Sequence, residues 1–108
     1  MRHVVVFKYK KTSSLEQQQQ VARAFLALQD QIPGITSIEH GQNVSPEKLD
    51  QGFDHVFLVT FENAQARDAY LPHPAHLAFG GLLEKLAVIE AVFVVDFTPE
   101  LVFKSATH

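Results

Sequence analysis

Apolar positions along the chain change period from two to about 3.6 and back, and these changes mark out its elements. His3 to Tyr9 (HVVVFKY) is rich in β-branched and aromatic residues and reads as a strand, with Lys8, Lys10 and Lys11 where it reaches water. Ser13 with Glu16, or Ser14 with Gln17, fits a capping box. Val21, Phe25, Leu28 and Ile32 then recur at four, three and four residues, one stripe of an amphipathic helix that Pro33 and Gly34 stop. Ile35 to Gln42 reads as a second strand with Ile38 buried, and Asn43 to Gly52 as a polar surface loop. His55 to Phe61 (HVFLVTF) is apolar on both alternating faces, which predicts a central strand buried from two sides. Asn63 caps a short helix through Tyr70, which Pro72 and Pro74 interrupt. Pro74 opens a new helix towards Lys85, since the first helical position needs no N–H. Leu86 to Phe97 predicts a long strand, with Val88, Val92 and Val94 on one face and Ile89, Phe93, Val95 and Phe97 on the other.

The order β-α-β-β-α-β, its second helix broken at Pro72 and Pro74, predicts an α+β, ferredoxin-like fold of the split βαβ kind with a four-stranded antiparallel sheet. Helices cover one face of such a sheet. Phe57, Val59, Ile89, Phe93 and Val95 distribute large apolar groups over both faces, so the second face needs a cover too. The simplest cover is a second copy, sheet against sheet, which makes a homodimer and a dimeric α/β barrel. A sheet curled around a ligand cavity within one chain is the alternative. Residues 1–99 form the domain, and 100–108 a tail whose Leu101, Val102 and Phe103 suit docking on the partner chain.

Composition narrows the function classes. A length of 108 residues is about one domain. A formal charge of −3, with nine scattered basic residues, offers no footprint for nucleic acid or an anionic membrane. The chain has no cysteine, which excludes disulfides, thiolate catalysis and thiolate metal sites. The first residues carry too short an apolar run for a signal peptide, and nowhere do about 18 apolar residues run together, so a soluble cytoplasmic protein is expected.

Any chemistry must therefore use histidine, tyrosine or carboxylates, and these concentrate in AYLPHPAHLAF, residues 69–79. His73 precedes a proline and should be extended, a cap or junction residue turned away from His76. His76 falls in the first helical turn, where the positive end of the helix dipole disfavours a further positive charge, as suits a base. Two histidines three residues apart without an adjacent carboxylate are too few ligands for a metal, and none is expected. His55, opening a buried strand, reads as a structural histidine with satisfied hydrogen bonds. A cavity lined by Val5, Phe7, Phe25, Val59, His73 and Phe79, with His3, Tyr70 and His76 as its polar groups, would have the sparse convergent polarity of a small-molecule site. Gly80 and Gly81 mark a bend in the second long helix or a close backbone approach.

HVVVFKYK, GFDHVFLVTFENAQARDAYLPHPAHLAF, VVDF and the spaced pattern Tyr70, His73-Pro74-Ala75-His76 and Phe79 together resemble the stress-responsive dimeric α/β-barrel (Dabb) family. The resemblance runs from His3 to about Phe97 and implies the fold and dimer just described. One characterised member is a plant polyketide cyclase that closes a linear tetraketide by an aldol reaction without metal or organic cofactor. The resemblance places its catalytic histidine on His76, its catalytic tyrosine on Tyr70 and a third pocket residue on His3. The segment GGLLEKLAVIEAV departs from the cyclase in length and lacks its tryptophan. Other members look like stress-induced oligomers without an assigned reaction. Two functions follow as expectations: a stress-response domain that binds a small hydrophobic or aromatic molecule beside HPAH, or a cofactor-independent lyase or cyclase with His76 as base and Tyr70 as donor. A cofactor-free monooxygenase of the wider dimeric-barrel group is a third.

Overall fold

The computed structural model describes residues 1–100; the expected docking of the tail from Leu101 onward lies outside the described residues. The elements run β1 (Arg2–Tyr9), α1 (Leu15–Gln31), β2 (Ile35–Gln42), β3 (His55–Phe61), α2 (Ala64–Tyr70), α3 (Pro74–Leu86) and β4 (Ile89–Phe97). Between the two capping choices the fold selects Ser14 with Gln17. The Ser14 hydroxyl accepts from the Gln17 backbone N–H at 3.1 Å, and the Gln17 side chain accepts from the Ser14 N–H at 2.9 Å. After α1 the chain reverses at Gly34, whose φ of 92° is open to glycine, and a side chain there would also meet the Ala66 methyl of α2 at 2.6 Å.

The four strands form one antiparallel sheet in the order β2-β3-β1-β4, which is the ferredoxin-like arrangement. All helices lie on one face. His3, Val5, Phe7 and Tyr9 of β1 and His55, Phe57, Val59 and Phe61 of β3 point into that layer and are buried. Against them α1 sends Val21, Phe25 and Leu28, with Ile32 at its end. The Phe25 ring stacks on Phe57 at 4.3 Å between centroids and meets Phe79 of α3 at 5.0 Å.

Several expectations change. Ile38 is half-buried, because β2 is an edge strand. On β3 the alternate residues Val56, Leu58 and Thr60 remain half-buried on the helix-free face, so a single chain covers this strand on one side only. The last strand begins at Ile89, not Leu86. Leu86 closes α3, and Ala87 caps it in the left-handed conformation with φ 53°. The β1–β4 register slips between Lys8 and Tyr9, pairing Tyr9 with Ile89. That bulge moves Ile89 to the helix face, and off the face that carries Phe93, Val95 and Phe97. β4 is the other edge strand, and both of its faces are about half-exposed from Val92 to Val95.

Candidate ligand-binding site

The two prolines of AYLPHPAHLAF set the site. Tyr70 ends α2, and its ring is buried against His3 (5.6 Å between centroids) and Phe61 (5.1 Å). His73, held extended by Pro74 at φ −61° and ψ 137°, caps α3 by accepting the Ala75 N–H on Nδ1 at 3.0 Å. One turn on, His76 lies beside Tyr70 with ring centroids 4.3 Å apart. Its Nδ1 is 2.9 Å from the Leu71 carbonyl oxygen. A carbonyl only accepts, so Nδ1 carries the proton, and in the neutral ring the lone pair resides on Nε2.

His3 reaches the same place from the start of β1. Its Nδ1–H donates to Asp96 of β4 at 2.6 Å, across the register that pairs the two residues. The other Asp96 oxygen accepts from Arg67 of α2. Burial would raise the Asp96 carboxyl, but the hydrogen bonds and charges of His3 and Arg67 outweigh it and hold the carboxyl below the usual carboxylate range. The Tyr70 phenol moves the other way: burial pushes it well up, so it remains a neutral O–H donor.

These groups open on a cavity of about 210 Å³ between α3 and the sheet. Val5, Phe7, Phe25 and Phe79 line it with His3, Tyr70 and His76, as expected from the sequence, and Leu71, Gly80, Leu83, Val92 and Val94 complete it. Two expected members are absent. Val59 is wholly buried in the core and does not line the space. His73 is turned to its own helix N-terminus and serves as a cap. Asp96 and Arg67 were not anticipated. A lone carboxylate in the apolar run VFVVDF was the available signal, but its partner depends on the strand register. A larger concavity, about 350 Å³, lies on the helix-free face of the sheet beside Val6, Phe53, Val56 and Phe93; its position makes it part of the uncovered surface, remote from the histidines. Among the described residues no three His, Asp or Glu side chains gather as metal ligands would.

His55 lies elsewhere and is structural in its contacts, bonded to the Tyr9 hydroxyl at 2.8 Å through Nδ1 and to His40 at 2.9 Å through Nε2. Burial, then the adjacent His40, lowers its pKa to about 4, against a smaller opposing effect of Asp54. Burial and Asp54 push the Tyr9 phenol up to about 12.

The stress-responsive A/B barrel domain model matches residues 1–99. The chain belongs to this family. It is 31% identical over 99 residues to the stress-response A/B barrel domain-containing protein HS1 of Arabidopsis thaliana, covering 92% of this chain and 89% of HS1. It is 27% identical over 99 residues to olivetolic acid cyclase of Cannabis sativa, covering 92% and 96% of the two chains. Among solved structures, an Arabidopsis thaliana protein superimposes with a TM-score of 0.87 at 31% identity, over 95% of this chain and 98% of that one. Hydroxynitrile lyase from Passiflora edulis does so with a TM-score of 0.83 at 25% identity, over 95% of each. A neighbour from Jannaschia, TM-score 0.75 at 27% identity over 91% and 97%, is described as a dimeric ferredoxin-like protein. No helix among the described residues is long and apolar enough to cross a membrane.

Proposed function

We propose that this stress-responsive A/B barrel protein binds a small, uncharged, largely apolar molecule beside HPAH, with His76 Nε2 accepting a hydrogen bond from it. The observation that carries this reading is the His76–Leu71 hydrogen bond, which fixes the ring and leaves an acceptor at the wall of a largely apolar cavity. Tyr70 is the complementary donor, and the Asp96–His3 pair orients a second imidazole on the same space.

The same pair of groups supports a second reading as a cofactor-independent lyase or cyclase. An imidazole lone pair can take a proton from carbon next to a carbonyl while a neutral phenol steadies the developing oxyanion. The similarity to a cyclase and to a hydroxynitrile lyase favours this reading over a monooxygenase.

We further propose that the protein is a homodimer closed sheet against sheet. Phe93, Val95 and Phe97 stand about half-exposed on the helix-free face, where each forgoes much of the roughly 1.5–3 kcal/mol that burial would return, and the dimeric neighbours share this fold.

The test is thermal unfolding against a panel of small phenols and β-keto compounds, with His76→Ala alongside. A ligand at 100 times its dissociation constant should add about 2.7 kcal/mol of stability. The expected result is a rise in midpoint that His76→Ala abolishes. A rise that persists undiminished in His76→Ala removes the histidine from the site, and a wild type unmoved by every compound removes the binding reading.

A further inference from the structure

His3 and His76 line one cavity, and groups of different kinds hold their rings. The backbone carbonyl of Leu71 keeps the His76 proton on Nδ1, because a carbonyl can only accept. His3 relies instead on a side chain, the Asp96 carboxylate 2.6 Å from its Nδ1. A side chain can turn. Asp96 stands opposite His3 on the edge strand β4, and its carboxylate is 23% exposed, so water competes for it. Arg67 of α2 restrains it from the other side. Its Nη1 donates to the second Asp96 oxygen, and its Nε donates to Asp68 of the same helix at 2.9 Å. One planar guanidinium is therefore tied at two points, to its own helix and to the sheet. Burial works against charge on Asp96, and the bonds from His3 and Arg67 overcome it and keep the group ionised. An ionised carboxylate has no proton to give. His3 must then donate from Nδ1, which leaves its lone pair on Nε2. Neither Arg67 nor Asp96 lines the cavity, so any influence they have on it passes through His3.

We propose that Arg67 is a positioning residue for this cavity: acting through Asp96, it decides which nitrogen of His3 carries the proton. With Arg67 in place His3 and His76 share one tautomer, each with its lone pair on Nε2. Without it Asp96 is free to turn to water or to take up a proton, and it no longer dictates the Nδ1–H form. His3 then divides its proton between the two nitrogens, and an acceptor becomes in part a donor. The importance of this for a bound molecule rests on the binding reading above, whereas the tautomer itself does not.

The test is nitrogen-15 NMR of the histidine rings at about pH 8, where an ordinary imidazole is neutral. Spectra are taken without ligand on the full chain as wild type, Arg67→Met, Arg67→Gln and Arg67→Lys, with circular dichroism to verify each fold. Wild type should show the proton on Nδ1 at both His3 and His76. In Arg67→Met the two ring-nitrogen signals of His3 should draw together, as a mixture of tautomers requires, while those of His76 stay where they are. Arg67→Gln should move His3 in the same direction by less, and it covers the case in which the methionine variant fails to fold. Arg67→Lys restores the charge with a single point of attachment and should recover most of the Nδ1–H form. A His3 that keeps its proton on Nδ1 in both neutral variants overturns the proposal. So does a wild type with the His3 proton on Nε2. Signals that shift equally at His3 and His76 overturn it as well, since Arg67 would then only brace α2. Because no ligand is present, these outcomes decide the role of Arg67 whether or not the binding reading survives its own test.

Discussion

A histidine in this chain acquires its character from what its two nitrogens face. His73 accepts a backbone N–H, His76 donates to a backbone carbonyl, His3 donates to a carboxylate, and His55 bridges Tyr9 and His40. The buried bridge has a measurable consequence. The unfolded chain takes up a proton at His55 near pH 6.5, whereas the folded protein resists it until about pH 4. Between those values the unfolded state binds more protons, so stability rises with pH. The contribution is full above pH 6.5 and is lost as pH falls to about 4, on the order of 2–3 kcal/mol at 1.36 kcal/mol per pKa unit. Urea denaturation at pH 7 and pH 4.5 should reveal the drop, and His55→Gln should flatten it. An equal drop in the variant would assign the acid sensitivity to other groups. The sequence marks His55, His73 and His76 as residues of interest but cannot say which nitrogen is engaged. That depends on the Leu71 carbonyl five residues back and on a tyrosine forty-six residues away.

Element boundaries follow local rules where the chain supplies them and tertiary register where it does not. The capping box at Ser14, the asparagine cap at Asn63 and Pro74 at the first turn of α3 are all local, and all were readable. The far end of α3 was not. An apolar run continues through Leu86, Val88 and Ile89, so nothing in the pattern separates helix from strand. The break falls at Ala87, a non-glycine residue with φ 53°. Left-handed backbone costs an L-residue about 1–2 kcal/mol, which glycine avoids. Ala87→Gly should therefore stabilise the protein by about 1 kcal/mol and raise the midpoint by several degrees; a lower midpoint would mean that the alanine methyl does more for packing than its strain costs. Ser14→Ala should do the reverse, losing about 1 kcal/mol with the cap. A midpoint unchanged by that substitution would show that the cap adds little to the folded state.

At the scale of the molecule the two faces of the sheet differ. Helices seal one face, and the other carries Val4, Val6, Leu58, Phe93, Val95 and Phe97, too apolar a set to suit water. Phe93→Lys places a charge in that face without touching the helix-side core. In sedimentation at micromolar concentration the variant should shift from dimer towards monomer, with helical circular dichroism retained. A variant that stays dimeric would place the contact elsewhere.

The sequence alone determined the order and type of the elements, the helix-facing core and the gathering of chemistry in HPAH, because period, caps and prolines act within a few residues. Only the tertiary structure decided that Asp96 and Arg67 stand behind His3, that Val59 is buried away from the cavity, and that a bulge turns Ile89 inward. Each of those depends on strand register or on the distance between a helix and the sheet, which no local pattern encodes.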